Sequence, residues 1–542
     1  MTMKRWVALH FILPVILVVW MGGSGTPAEG QPQQRASGKP DQLGTVHFAT
    51  SCKAEVQPSF DRAVALLHSF WYGAAVKAFT EVGNEDPGCA MAHWGVAMSV
   101  WYPLWEPPSV GALKQGSEAV QKAKAIGGKT DRERDYIGAI EAFYRDADKV
   151  DHRTRALAYE AAMERIYTKY PEDREAAIFY ALALNATQLP TDKTYVNVLK
   201  AGQILEKAFA EQPNHPGVAH YIIHSYDYPP LGARALDAAR RYAKIAPSAP
   251  HALHMPSHIF TRRGLWEESI QSNTGAAAAA KSDGDAQGQL HAMDYMVYAH
   301  LQLAQDGKAW RVVEETVAFG KIERQTGATA YAQASIPARY VLELRRWPQA
   351  AALPVILRPE RYTHTEGITH FARALGAART GDVAAARREV ERLQALRDTL
   401  VQAKQGYWAD QVEVQRRAAA GWLAWAEGKH EEALALVRSA ADLEDSTEKH
   451  PVTPASVLPA REQLGDLLAE LKQPGLAVRE YEASLQREPN RFNGLYGAAR
   501  TAELSGDVTK AKAFYAKVVE LGSQADTERP ELAAARAFLA KH

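Results

Sequence analysis

A spacing of 34 residues recurs along this chain, and it narrows the choice of fold more than any other feature. Leu464, Gly465, Leu468, Ala477, Tyr481 and Pro489 define one unit, and Ala511 and Tyr515 follow Ala477 and Tyr481 at that spacing. Gly421, Ala424, Gly428, Ala433 and Ala440 keep the same template upstream, as does the Gly381-Asp382 turn followed by Ala386. Ala75, Phe79 and Pro87 carry it near the N-terminus. A unit of this length holds two helices and cannot bury its apolar face alone, so units must stack and share a core. Small residues such as Gly465 and Ala477 let paired helices approach, while large ones such as Tyr481 fill the space between pairs. A proline at the unit's end stops the second helix.

Between residues 113 and 187 the period fades but helical patterning persists, for instance through residues 134–143, so these helices read as degenerate or elongated pairs. Alternating β-branched runs are scarce, and Ala, Leu, Glu, Arg and Lys dominate, which disfavours an α/β enzyme fold. The chain shows no phosphate-cradling glycine loop, no Gly-x-Ser-x-Gly elbow and no His-Glu-x-x-His motif. Hydrophobic residues at 46% and charged residues at 23% suit a continuous core. Lys plus Arg equals Asp plus Glu at 63 each, so no excess positive charge is present to release counterions, and nucleic acid is not expected as a partner.

On these residues the chain resembles the tetratricopeptide repeat family, over about two thirds of its mature length. Trp71, Tyr72 and the aromatics from Trp94 to Trp105 liken it to divergent members with long, aromatic-rich helices. The resemblance implies an all-α solenoid, a right-handed superhelix of helix pairs. It also implies a concave groove lined by the first helix of each pair and occupied by a protein or peptide. The expected organisation is helix pairs over 45–110, degenerate repeats over 111–212, histidine-rich central repeats over 213–325 and C-terminal repeats over 326–542.

Lys4 and Arg5 precede an apolar run over residues 6–21 and a small-residue stretch to Ala28. This is the layout of a secretory signal, residues 1–28, with an uncleaved membrane anchor as the alternative. Residues 29–44 read as a flexible leader. A periplasmic or secreted location follows. In that setting Cys52 and Cys89 either form one disulfide or stay as two buried thiols, and they are too few for a cysteine-type zinc site.

Eight of the eighteen histidines fall between His215 and His300. Pro213 and Pro247 are 34 residues apart, which aligns His220 with His254 and His224 with His258. An i, i+4 pair shares one helical face, about 6 Å apart along the axis, and packed helices lie about 8 to 10 Å apart. The four imidazoles can therefore face one another across a gap that a single ion bridges. Zinc, copper and iron are candidates, because neutral imidazole suits all three. His291, Asp294, Tyr295 and Tyr298 lie on the next helix; Asp227 offers a carboxylate, and Arg262 can hold an acidic group or cap a solvated helix end. Asp227, Asp294 and Tyr295 are acid or base candidates if the site catalyses, which nothing in the spacing requires. Met255, Met293 and Met296 favour copper if they face inward and otherwise fill core. His68, His93, His251, His364 and His370 read as lining residues, His215 as a cap, and His300 as lying off the shared face. Residues 445–454 interrupt the repeat and are expected as an exposed loop that covers one groove end. Two functional readings stay open: a scaffold for a protein or peptide in the groove, and a transition-metal protein or metalloenzyme with a site in the central repeats.

Overall fold

The computed structural model describes residues 41–322 and 325–542, and within them every regular element is helical. The signal segment and residues 29–40 of the leader lie outside the described residues. The leader's end is docked rather than free: the Gln42 amide donates to Ser248 Oγ at 2.9 Å, and Leu43 is buried.

Consecutive helices form antiparallel pairs, beginning with Gln57–His68 against Tyr72–Glu85 and continuing to Val508–Leu521 and Pro530–Lys541. The 34-residue period has the physical basis expected of it. A Cβ on Gly465 would lie 2.8 Å from the Tyr481 ring, and one on Gly497 would lie 2.3 Å from the same ring. The Tyr481 side chain thus fills space that two glycines leave open on neighbouring helices. Cys52 and Cys89 are bonded and tie the start of the first pair to the helix Ala90–Ser99. Closing a loop of that length restrains the unfolded chain by up to about 4 kcal/mol in the chain-entropy account.

Two apolar cores run along the array, one over residues 43–260 and one over residues 290–538. A small cluster of Trp266, Tyr298, Ala299, Leu303 and Ala455 joins them. The superhelix turns far enough to meet itself. Trp266 Nε1 donates to the Asn490 carbonyl at 2.8 Å, and the buried Arg491 donates to Tyr298 Oη, Glu343 and Glu462.

Residues 445–454 are expected as an exposed loop, but beyond the helix that ends at Asp445 the segment 446–459 instead threads the interior of this closed array. Thr447, Glu448, Val452, Thr453 and Ala455 are buried. Its polarity suggested solvent, but its backbone and charges are satisfied by protein. Arg339 donates to the Ala455 and Ser456 carbonyls at 2.7 Å, Tyr407 Oη to the Glu448 carbonyl, and Lys449 Nζ to Asp227.

Candidate metal centre at the junction of the two cores

The helix Pro216–Tyr226 opens with His215 as its N-cap, accepting from the Val218 amide, and with Pro216 at the first position, where a missing N–H costs nothing. His220 and His224 then share its inward face. The next first helix is broken. Pro250–His254 runs into Pro256–Arg262 through Met255, because Pro256 lacks an N–H to continue the ladder. One short stretch therefore aims His251 at one group of imidazoles and His254 and His258 at another. The helix Ala286–Gln302, from the other core, adds His291 and Tyr295.

The quartet expected around one ion is thus two triads. His220, His224 and His251 form one, and His254, His258 and His291 form the other; within each, the ligand nitrogens lie within 4.8 Å of one another. Steric reach explains the correction: the i, i+4 partners point at each other along their own helix, with Nε2 to Nε2 at 3.1 Å for His220 and His224 and 3.0 Å for His254 and His258. The triads abut on two sides, with ring centroids 6.0 Å apart for His224 and His258 and for His251 and His254. His251, read as a lining residue, completes the first triad. It has no counterpart one repeat away, since Gly217 stands there, so the repeat offered no signal for it.

The outer nitrogens fix the tautomers. His220 Nδ1 donates to the His68 carbonyl at 2.7 Å, His254 Nδ1 to Asn273 Oδ1 at 2.6 Å, and His258 Nδ1 to Asp227 at 2.9 Å. Asn273 is oriented by its own amide, which donates to the Ser269 carbonyl. In their neutral forms His254 and His258 therefore present two Nε2 lone pairs to each other across 3.0 Å. Among the described residues His251 Nε2 has no hydrogen-bond partner, and neither His291 nitrogen completes a hydrogen bond, although the Val452 backbone lies beside that ring.

Burial keeps these imidazoles neutral. It lowers His220 to about 3 and pushes His224, His251, His254 and His291 well below the ordinary value, with neighbouring imidazoles adding to the effect. His258 is lowered less, because Asp227 opposes burial. Burial alone would raise Asp227, but Lys449, Arg262 and His258 outweigh it and hold the carboxyl well below its usual range. Burial brings Lys449 down to about 8 against the pull of Asp227.

The remaining candidates sort by contact. Asp227 joins the site through His258, while Arg262 is buried and donates to Asp227 at 2.8 Å, so it is neither a solvated helix end nor free to hold an acidic ligand. Tyr295 packs against His254 and His258, its hydroxyl 3.3 Å from His258 Nε2. Asp294 points away into an ion pair with the buried Arg339, and Tyr298 pairs with Glu488 and Arg491, so neither belongs to the site. Met255 and Met293 are buried in the two cores and Met296 packs against the second, as filling. His300 bonds Gln305 and stays apart.

Another compact group, His68, Glu175 and His215, is closed by its own hydrogen bonds: Glu175 takes one imidazole at each oxygen, at 3.0 and 2.9 Å. It braces the His68 carbonyl that orients His220. Trp105, on the loop after Ala90–Ser99, covers both triads, with its ring 5.6 Å from His251 and 5.3 Å from His291. Beside it a cavity of about 530 Å³ reaches His251, His254 and His291 between Phe70, Tyr72 and Glu106. A second cavity, of about 240 Å³, reaches His224, Asp227 and His450.

Helix pairs follow one another through the described chain, and the 34-residue positions pack as the repeat requires. The chain is an all-α solenoid of helix pairs. No family model and no curated protein matches the solenoid's sequence. Among solved structures it is similar to the human IFIT1 dimer with m7Gppp-AAAA, at 12% identity over 80% of this chain and 90% of that one, with a TM-score of 0.36. It is also similar to the Cut9-Hcn1 hetero-tetramer of APC/C, at 11% identity over 90% and 95%, with a TM-score of 0.29. A tetratricopeptide repeat protein from Parabacteroides merdae is similar at 12% identity over 54% and 98%, with a TM-score of 0.28.

Proposed function

We propose that this solenoid is a metalloprotein holding two transition-metal ions, one on His220, His224 and His251 and one on His254, His258 and His291. The observation that carries the reading is the pair of lone pairs on His254 and His258, turned toward each other at 3.0 Å by hydrogen bonds behind both rings. Two such acceptors repel unless a cation lies between them and the third imidazole. Ligating histidines ordinarily donate their other N–H to a carboxylate, amide or carbonyl, as His258, His254 and His220 do here. The unpartnered nitrogens of His251 and His291 point the same way.

The broader reading, a scaffold for a protein or peptide, rests on the helix-pair array, an architecture that commonly mediates protein interactions. Beside the imidazoles the space is taken by the chain's own 446–459 segment, bonded to Asp227, Arg339 and Tyr407, so the metal reading takes precedence there. We also read the chain as exported, which the Cys52–Cys89 disulfide supports because such bonds persist in oxidising compartments.

The test is reconstitution of tag-free protein with copper, zinc or iron salts, followed by desalting and elemental analysis. The expected content is about two equivalents of one of these metals, falling to about one in His254→Ala/His291→Ala. Saturating metal should also raise the thermal midpoint, since an ion at about 100 times its Kd stabilises by about 2.7 kcal/mol. No retained metal and an unchanged midpoint would overturn the proposal.

A further inference from the structure

Resting on that two-ion reading, we infer that the ions are copper(I) and that together they bind one molecule of dioxygen between the triads. Charge is the first consideration. Among the described residues no carboxylate or thiolate joins either triad, so the six donors are neutral imidazoles. Asp227, which accepts from His258, is already matched by Arg262 and Lys449 at 2.8 Å each, and Glu106 and Asp285 line the larger cavity without joining either triad. Two divalent ions would bring four positive charges into a buried pocket with no anion among their ligands, a heavy desolvation cost. Two copper(I) ions bring half that charge, and imidazole is a suitable donor for copper.

Geometry is the second consideration. Each ion would have three protein ligands and therefore an open position, and the triads abut with rings 6.0 Å apart on two sides. Paired metal ions that share a substrate lie about 3.5 to 4 Å apart, a separation that abutting triads can provide. The larger cavity touches His251 of one triad and His254 and His291 of the other, so a small ligand entering it meets both ions.

The electron balance fits the same pocket. Each copper(I) gives one electron, becoming copper(II). Dioxygen accepts the two electrons and becomes a peroxide dianion bound to both ions, with the O–O bond kept and no proton moved. The total charge of the buried centre is unchanged, so oxidation of the metals carries no uncompensated charge into a low-dielectric site. Release of dioxygen is the reverse step.

The experiment uses the full tag-free chain, stripped with chelator, loaded anaerobically with two equivalents of copper(I) and then mixed with dissolved dioxygen. The expected result is uptake of about one dioxygen per two coppers, a new charge-transfer band in the near ultraviolet, and no copper(II) paramagnetic signal because the two spins couple. His291→Ala, which leaves one triad complete, should lose most of the uptake and show an isolated copper(II) signal after oxidation. Two bound coppers that take up no dioxygen, or that give two uncoupled copper(II) signals, would overturn this inference and leave the two-ion reading standing. Retention of zinc or iron in preference to copper would do the same. Failure to hold any metal would remove both.

Discussion

Asp227 accepts from His258 and Arg262 on one helix and from Lys449 on a distant segment. Replacing it by asparagine keeps the shape but removes the charge that orders them. Asp227→Asn should weaken metal binding about 10- to 100-fold, the usual cost of losing a partner behind a ligand. Competition with a chromogenic chelator reads this directly, and undiminished affinity would show that Asp227 does not orient His258. Away from the site, burial and the nearby Glu488 raise the Glu444 carboxyl to about 7. The residue keeps part of its surface, but its carboxyl accepts from the Ala460 amide inside the fold. The folded chain then holds a proton there that the unfolded chain, with a carboxyl near its ordinary value of about 4.3, has lost. Stability therefore falls as pH rises from about 4.3 to about 7 and levels off above that. Glu444→Gln keeps an acceptor for Ala460 and removes the titration. Urea unfolding should find it level with the parent at pH 4 and more stable by about 1 to 3 kcal/mol at pH 8.

At the scale of helices, the glycine-tyrosine contacts convert the repeat into a measurable quantity. Gly497→Ala pushes a methyl group into the Tyr481 ring and should destabilise by about 1 to 3 kcal/mol, whereas Gly475→Ala, which meets open space in a helix, should be neutral or slightly stabilising. Equal effects in thermal melts would mean that the period does not report packing. The same distinction explains what could be read from residues alone. Helix pairing and the positions of His220, His224, His254 and His258 were legible because packing imposes the same residue types at a fixed offset. His251, Asn273 and the His68 carbonyl were not, because tertiary contact alone brings them in, without a repeated partner. Residues 445–454 misled for a related reason: a polar segment normally seeks water, and here Asp227, Arg339 and Tyr407 supply what water would to it and to the residues that follow.

Over the whole molecule, closure of the superhelix is what makes a site from the repeats. The first core carries five imidazoles, the second carries His291 and Tyr295, and the 446–459 segment brings Lys449 and His450 between them. An open array would leave each triad incomplete or wet. Anomalous X-ray diffraction from crystals of the metal-loaded chain, recorded on both sides of the metal's absorption edge, addresses this arrangement most directly. Two separate anomalous peaks are expected, one within reach of His220, His224 and His251 and the other within reach of His254, His258 and His291. A single peak shared by the four helix-paired imidazoles, or no peak at either triad, would contradict this arrangement.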